Sequence, residues 1–221
     1  MNKKDVWVVI PVYNEEKTIR QVLSKVKSYN INIVVVVDGG KDNTYDVVLK
    51  EDVFVLRHII NLGKGSAMIT GCDYAVAHGA KKIILMDGDG QHDPIFIPEF
   101  IKKLDKYDLV YGSREFSKKM PFLSKLGNII ISGVLKLLYK TDIRDTQSGY
   151  RAFNTIIYEK IKWNSQRYSV ESEMIARASM NKISYTQIPI STIYHENYKG
   201  TSPFDGIKIV LNLLKWRFFK I

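Results

Sequence analysis

The stretch INIVVVVDGGKDNT (Ile31 to Thr44) places a nearly continuous run of apolar residues directly before a polar segment that contains glycine. Such a run lacks the apolar–polar alternation of a half-buried strand, and it is typical of a parallel strand that is covered on both faces. Similar runs, bounded by turn residues, occur as VWVVIP (6–11), VFVL (53–56), KIILMD (82–87) and DLVYGS (108–113). The sequence therefore predicts a parallel sheet built from these segments.

Segments with helical spacing separate these runs, and the clearest examples are Glu15 to Ser28 and Lys64 to His78. Strands that alternate with helices in this way imply right-handed crossovers and a doubly wound sheet. The composition agrees, since 221 residues with 45% hydrophobic and 25% charged side chains are sufficient for one domain with a sizeable core. The predicted fold class is therefore α/β, with a mostly parallel, Rossmann-like sheet flanked by helices.

Several classes of protein are excluded by what the sequence lacks. The single cysteine, Cys72, rules out a disulfide framework and a thiolate metal cluster, and the histidines have no zinc-binding spacing. No apolar run approaches the roughly 20 residues that span a bilayer. The first residues, MNKKDVWVVIP, do not have the pattern of a signal peptide. We therefore expect a cytoplasmic protein.

The net charge of +10 is concentrated in two segments. Residues 114–140 contain six basic side chains and one acidic, and residues 199–221 contain five basic and one acidic. Both segments are also rich in Leu, Ile and Phe, a combination that favours an anionic lipid surface over nucleic acid as the partner. Two solvated helix faces are the alternative explanation.

Polar, chemically capable residues follow four of the predicted strands. The stretches are PVYNEE (11–16), DGGKDNT (38–44), DGDGQHD (87–93) and GSR (112–114). Each of them alone fits an ordinary turn or helix cap. Because ligands of doubly wound sheets bind at the carboxyl ends of the strands, four such stretches at one edge predict a binding site there.

Within the third of these stretches, Asp87 and Asp89 flank a glycine and precede Gln91. Oxygen ligands at this spacing suit a hard divalent cation, Mg²⁺ or Mn²⁺, which would also relieve the repulsion between the carboxylates. Such a cation usually binds the phosphates of a substrate in addition to one or two carboxylates. The alternative, that the aspartates cap backbone amides, explains one of them better than the pair.

Three motifs indicate which class of phosphate-binding protein the sequence fits. Two of them are absent and one is present. The sequence has no GxxxxGK[ST], which argues against a P-loop nucleotidase, and no GxGxxG after the first strand, which weakens a dinucleotide-binding dehydrogenase. NLGKGSA (61–67), in contrast, is a Gly-Lys-Gly turn that opens a helix and suits an anion. Lys64 is therefore a candidate substrate contact.

Six motifs occur in a characteristic order and spacing: IPVYNEEKTI, VVDGGKDNT, NLGKGSA, MDGDGQHDP, VYGSR and DTQSGYRAF (145–153). Together they resemble the family 2 glycosyltransferases of GT-A fold, specifically the dolichyl- and polyprenyl-phosphate hexosyltransferases. The resemblance runs from about Val6 to Gly200. It implies an inverting, metal-dependent transfer of mannose or glucose from GDP-mannose or UDP-glucose to dolichyl or polyprenyl phosphate.

The same resemblance assigns roles to individual residues. It implies a metal site made of Asp87, Asp89 and Gln91, with Mg²⁺ or Mn²⁺ as the cofactor. Arg114 would face phosphate, and Asp145 would orient the acceptor or substrate hydroxyls. The residues implied to contact substrate, the first four of them at the base and ribose, are Pro11, Tyr13, Glu15, Asp38, Lys64, Asp87, Gly88 and Lys199.

Two departures from the family pattern bear on these roles. Val37 stands where the family commonly has an additional aspartate before Asp38. Near the C-terminus, NYKGTSP (197–203) lacks the terminal basic residues of the family's RxxGxSK. We expect Lys199 or His195 to supply the missing charge, unless the diphosphate is held differently.

Apolar stripes in both basic segments suggest how the chain reaches a lipid substrate. Apolar residues recur at helical spacing in 122–140 and in 203–221, beside lysine and arginine side chains. We therefore expect a GT-A domain over residues 1–202 and an amphipathic helix over 203–221. This helix, together with 122–140, would rest on the cytoplasmic membrane face without crossing it. Packing of both helices on the sheet is the alternative.

Two other functions are compatible with an acidic site on such a sheet. A sugar nucleotidyltransferase normally has a GxGTR-like loop after its first strand, where this chain has PVYNEE. A non-enzymatic, membrane-associated module that binds a ligand in an acidic pocket would be expected to end soon after the fifth strand, yet a long segment follows it here. Both alternatives therefore fit the sequence less well than sugar transfer.

Overall fold

The fold is built on one sheet whose strands are almost all parallel. The computed structural model describes residues 3–114, 122–167, 169–193 and 203–219. The strands are β1 (Val6–Val12), β2 (Asn32–Asp38), β3 (Phe54–His58), β4 (Lys82–Leu85), β5 (Leu109–Arg114), β6 (Arg151–Asn154) and β7 (Tyr185–Ile190). They pair in the order β3-β2-β1-β4-β6-β5-β7, and β6 runs antiparallel to both of its neighbours.

Helices connect the strands and cover both faces of the sheet. They are α1 (Ile19–Lys27), α2 (Thr44–Val48), α3 (Lys64–Ala77), α4 (Ile97–Lys103), α5 (Phe122–Tyr139), α6 (Tyr158–Ile161), α7 (Val170–Met180) and α8 (Pro203–Phe218). The predicted fold class, a mostly parallel α/β sheet flanked by helices, is confirmed. The two predicted helices are also confirmed as α1 and α3, with α1 beginning four residues later than its pattern indicates.

The valine runs of β1 and β2 are buried on both faces, as their composition predicts. Neighbouring residues of a strand point to opposite sides of the sheet. Val8 and Val35 accordingly enter one apolar cluster, while Val9 and Val34 enter the other. The first cluster packs α1 and α4 against the sheet, and the second packs α3, α5, α7 and α8. The sheet therefore forms the middle layer of three.

All the predicted strands are confirmed, with ends displaced by no more than two residues. Complete burial is wrong for β3, which lies at the edge of the sheet and leaves Phe54 exposed. An edge strand has a neighbour on one side only, so its side chains and backbone receive less cover.

The sequence pattern does not predict β6 or β7. Strand β6 has four residues and begins within the polar motif DTQSGYRAF, while β7 contains Pro189 and mixes polar with apolar side chains. Strand β7 tolerates a proline because it is the other edge of the sheet. Strand β6 inserts between β4 and β5, with Phe153 in register with both Ile83 and Leu109.

The C-terminal helix α8 packs on the rest of the protein through one of its faces. Ile209, Leu213 and Trp216 are buried beside α5 and α7, and the Tyr139 hydroxyl donates a 2.7 Å hydrogen bond to the Leu213 carbonyl. Trp216 is thus part of the core, although its neighbours Phe218 and Phe219 are exposed. The division into residues 1–202 and 203–221 stays a prediction. No helix in the described ranges is long and apolar enough to cross a bilayer.

Candidate active site

Loops that follow the first four strands contact one another at the carboxyl edge of the sheet. The Glu15 amide donates a 2.7 Å hydrogen bond to the Thr44 hydroxyl, which connects the loops after β1 and β2. The Thr18 hydroxyl lies 3.2 Å from the Gly88 carbonyl and so connects the β1 loop to the turn after β4. These contacts bring three of the four predicted polar stretches to one place.

An ammonium group lies between two carboxylates at this edge. Lys64 Nζ is 2.8 Å from Asp87 Oδ1, 3.0 Å from Asp87 Oδ2 and 3.1 Å from Glu171 Oε1. Burial opposes the charged forms of Lys64 and Asp87, yet their attraction, with that of Glu171, raises the pKa of Lys64 and lowers the pKa of Asp87. Both groups are therefore charged at neutral pH.

Asp38 holds the loop that carries Lys64. Its carboxylate accepts hydrogen bonds from the Leu62 amide at 2.9 Å and the Gly63 amide at 2.8 Å, and it lies 2.7 Å from His58 Nδ1. Gly63 has a φ of 97°, a conformation that favours glycine. Asp38 is 2% exposed. Its contact with the nucleotide base stays a prediction.

Asp89 lies in the turn after β4 and contacts Gln91. The Asp89 carboxylate accepts hydrogen bonds from the Gln91 backbone amide at 2.9 Å and from Gln91 Nε2 at 2.8 Å. Burial and the neighbouring negative charge of Asp87 raise the pKa of Asp89 to about 6. The turn therefore keeps the predicted ligand residues together, and their binding of a metal stays a prediction.

The raised pKa of Asp89 has a measurable consequence for stability. In buffer with EDTA, we expect Asp89→Asn to match the wild-type chain near pH 3.8 and to become more stable than it as the pH rises through about 6. Over this interval the unfolded wild-type chain ionises before the folded one, so wild-type stability falls relative to the variant. Thermal unfolding of both chains from pH 4 to pH 7 measures the difference. A difference that does not vary with pH would contradict the expectation.

His92 supports the same turn, although the sequence patterns did not single it out. Its Nδ1 accepts a 3.0 Å hydrogen bond from the Asp87 backbone amide, and its ring stacks on Tyr150 with centroids 4.8 Å apart. Burial lowers the pKa of His92 to about 4, so the ring is neutral and remains an acceptor at physiological pH. His92 thus orients the backbone of Asp87.

Arg114, at the end of β5, forms a buried ion pair with Asp145. Arg114 Nε and Nη2 donate to Asp145 Oδ2 and Oδ1 at 2.6 and 2.9 Å, and Asn128 Nδ2 donates to Oδ1 at 2.5 Å. Burial opposes ionisation, but the hydrogen bonds and charge of Arg114 lower the pKa of Asp145. Asp145 is 1% exposed. Its observed contacts favour a role through Arg114, and the predicted roles toward substrate stay predictions.

The remaining predicted contacts are distributed around the edge. Pro11 is buried in β1, and Tyr13 is exposed just beyond it. Glu15 Oε2 accepts a 2.8 Å hydrogen bond from the Thr18 hydroxyl. Lys199 lies outside the described residues. Contact of these side chains with a nucleotide stays a prediction.

The donor set fits a divalent cation that also binds an anion. Asp87 and Asp89 supply carboxylate oxygens and Gln91 an amide oxygen, the ligand types of Mg²⁺ and Mn²⁺. Gly149 leaves space beside them, since a Cβ at this position would lie 3.0 Å from Asp87 Oδ2. Within the segments that the structure describes, no three His, Cys, Asp or Glu side chains are placed to hold a metal by themselves. Substrate phosphates commonly complete sites of this kind.

The motifs at this edge correspond to a known family model. Residues 7–179 match the model described as glycosyl transferase family 2. The chain belongs to glycosyl transferase family 2. Membership makes it a sugar-transferring enzyme, and it decides against both the nucleotidyltransferase and the non-enzymatic binding module.

Two curated relatives in this group are similar to the chain over nearly its whole length. The UDP-N-acetylglucosamine–dolichyl-phosphate N-acetylglucosaminyltransferase of Methanococcus voltae is 35% identical, over 100% of this chain and 99% of the relative. The dolichol-phosphate mannosyltransferase of Pyrococcus furiosus is 28% identical, over 96% of this chain and 64% of the relative.

A solved structure has the same fold. Glucosyl-3-phosphoglycerate synthase from Mycobacterium tuberculosis, in complex with Mn²⁺, UDP and glucosyl-3-phosphoglycerate, superimposes with a TM-score of 0.75. The match covers 96% of this chain and 79% of the other, at 17% identity. At this identity the likeness establishes the fold of this family 2 chain and no more.

Three site residues of this family 2 enzyme escaped the sequence predictions. Glu171 stands at the start of α7, where an acidic residue is ordinarily explained by the helix dipole. Asn128 lies within an apolar helix, and His92 follows the acidic turn without any second ligand at metal-binding spacing. Their role in the site follows only from the residues that they contact in the folded chain, which are Lys64, Asp145 and Asp87 respectively.

Proposed function

We propose that the chain transfers a sugar from a nucleotide sugar to dolichyl phosphate, with Mg²⁺ or Mn²⁺ as cofactor. The observation that carries the proposal is the full-length similarity to the Methanococcus voltae enzyme, whose name specifies dolichyl phosphate. The Pyrococcus furiosus relative is named for the same type of acceptor but for a different sugar. The acceptor class is therefore the shared property, and the sugar is the variable one.

The arrangement of residues supports a transfer driven by stabilisation of the leaving group. A divalent cation bound by Asp87, Asp89 and Gln91 would neutralise the departing nucleoside diphosphate. Lys64 adds positive charge beside Asp87, and Arg114 is held in one orientation by Asp145. Preorganised charges of this kind lower the barrier without rearranging during the reaction.

No strong general base is required for such a transfer. The phosphate of the acceptor is already ionised at neutral pH and is itself the nucleophile. Asp145, whose oxygens accept hydrogen bonds from Arg114 and Asn128, would act by fixing Arg114 against a phosphate. The reaction is then a single displacement with inversion at the sugar carbon.

The identity of the donor is open to a direct test. Purified chain would be incubated with Mn²⁺, dolichyl phosphate and radiolabelled UDP-N-acetylglucosamine, UDP-glucose or GDP-mannose in separate reactions. We expect label to enter the lipid phase with one of these donors, and none to enter when dolichol replaces dolichyl phosphate. Transfer to dolichol at the same rate, or no transfer from any donor, would contradict the proposal.

We further propose that α5 and α8 bring this acceptor to the site by resting on an anionic membrane surface at the cytoplasmic face. Apolar side chains on both helices are exposed, with Leu137 at 81% and Phe218 at 70%. Lys136 and Lys215 lie close to them in sequence and are exposed as well. Exposed apolar residues beside basic ones are typical of interfacial helices, and each basic residue contributes up to about 1 kcal/mol near anionic lipid.

Liposome flotation tests this membrane contact. Because Leu213 and Trp216 are core residues, substitutions on the exposed face of α8 are preferable to truncation. We expect Ile207→Ser/Leu211→Ser/Phe218→Ser to float less with anionic liposomes than the wild-type chain, which high salt should release. The matched control is a triple change of exposed apolar residues elsewhere, Leu49→Ser/Ile95→Ser/Ile156→Ser. Equal flotation of both variants would contradict the membrane role of α8.

A further inference from the structure

The Lys64–Asp87 ion pair involves both oxygens of the Asp87 carboxylate. Lys64 Nζ contacts both oxygens of Asp87, at 2.8 and 3.0 Å, so the ammonium lies across the end of the carboxylate. The second predicted ligand is engaged as well, because both oxygens of Asp89 accept hydrogen bonds from Gln91. The chain thus supplies internal partners to both aspartates that are predicted to bind the metal, Asp87 and Asp89.

We infer that Lys64 is an internal counter-ion that competes with the divalent cation for Asp87 and yields to it when a nucleoside diphosphate binds. This inference rests on the proposed metal-dependent transfer and adds to it an order of binding. The metal and the nucleotide would bind cooperatively. The cation alone would have to separate Lys64 from Asp87, and the phosphates of the nucleotide supply negative charge for the displaced ammonium.

The competition follows from charge and distance. A divalent cation bound to the Asp87 oxygens would lie a few ångströms from the Lys64 ammonium. Like charges at such a separation repel strongly where the effective dielectric constant is lower than in water. Asp87 and Lys64 are both partly withdrawn from solvent, so screening by water is incomplete. Binding of the cation therefore requires the ammonium to move away from Asp87.

Glu171 gives the displaced ammonium a second partner. Its Oε1 lies 3.1 Å from Lys64 Nζ, and its side chain is largely buried at the start of α7. An ammonium that leaves Asp87 therefore keeps one carboxylate, which avoids the high cost of an unpaired charge in a partly buried site. The phosphates of a bound nucleotide would add further negative charge for Lys64. The movement is thus favourable with nucleotide and unfavourable without it.

The test is the affinity for Mn²⁺, measured by electron paramagnetic resonance of the free ion, with and without UDP or GDP. For the wild-type chain we expect weak binding of Mn²⁺ alone and markedly tighter binding with the nucleotide that the enzyme uses. Lys64→Met keeps the aliphatic stem without the charge. It should bind Mn²⁺ alone about 10-fold more tightly than the wild-type chain, equivalent to about 1.4 kcal/mol, and should gain less from nucleotide.

Two further variants make the result specific. Lys64→Gln keeps a polar group at the same place and should behave as Lys64→Met does, so that a folding defect in one variant does not decide the outcome. Lys25→Met removes one exposed positive charge from the last turn of α1, at the end of the helix that points away from the carboxyl edge of the sheet. It should leave Mn²⁺ affinity unchanged within about 2-fold, because distant exposed charges are screened.

Three other outcomes of the Mn²⁺ measurements would overturn the inference, each for a different reason. Unchanged Mn²⁺ affinity in both folded Lys64 variants would show that the ammonium does not compete, while the proposed function would stand if nucleotide still promotes binding to the wild-type chain. An equal gain of Mn²⁺ affinity in Lys25→Met would show that the effect comes from the overall charge of the chain and not from the Lys64–Asp87 contact. If no chain binds Mn²⁺ even with nucleotide, the proposed metal dependence is wrong and the inference falls with it.

Discussion

Asp89→Asn is expected to lower the turnover of sugar transfer at least about 100-fold, as the loss of a main electrostatic stabiliser does in other enzymes. The substitution keeps the shape of the side chain and removes one negative charge from the acidic turn. Since Asp89 and Gln91 are neighbours in this turn, the amide can keep a contact with Gln91 while it binds a cation poorly. The measurement is the initial rate of transfer to dolichyl phosphate at saturating donor and Mn²⁺.

The matched control changes Asp93, an aspartate of the same motif that caps a turn and is not a predicted metal ligand. Asp93 accepts a 3.0 Å hydrogen bond from the Ile95 amide and caps the turn before α4. Asparagine caps turns about as well as aspartate, so Asp93→Asn should retain most of the activity. Near-normal turnover in Asp89→Asn, or full activity of the wild-type chain in EDTA, would contradict the proposed metal dependence.

Asp145→Ala is expected to lower the free energy of unfolding by about 3–5 kcal/mol, the range observed when one partner of a buried ion pair is removed. The change leaves the Arg114 guanidinium without its carboxylate and removes the acceptor of Asn128 Nδ2. Because Arg114 is only 11% exposed at its side chain, water can restore little of what is lost. Urea denaturation of both chains gives the difference.

Asp142→Ala is the control for this prediction. Asp142 pairs with Lys136 at 3.1 Å, but its side chain is 87% exposed. Surface pairs of this kind contribute at most about 1 kcal/mol, so the variant should unfold almost as the wild-type chain does. Equal destabilisation by the two changes would contradict the expectation that the buried Arg114–Asp145 pair stabilises the fold.

The sequence alone was sufficient to predict the layers of the fold and the edge that carries the site. The valine runs of β1 and β2 predict burial on both faces of the sheet. Every position in these runs is apolar, so neither face of the strand offers polar side chains to water. Polar residues that follow parallel strands meet at one edge of the sheet, which is why the stretches after β1, β2 and β4 could be grouped before any contact was known. Local pattern and chain order carry this information.

The tertiary structure decided which groups neutralise one another. Lys64, Asp87 and Glu171 are far apart in the chain and form one cluster. Likewise, Arg114 at the end of β5 pairs with Asp145, which lies beyond α5 in the segment that leads to β6. The insertion of β6 between β4 and β5 brings these segments together, and its four residues carry no periodic signal of their own. Burial and charge pairing depend on distances between segments, and those distances are set by how the whole sheet packs.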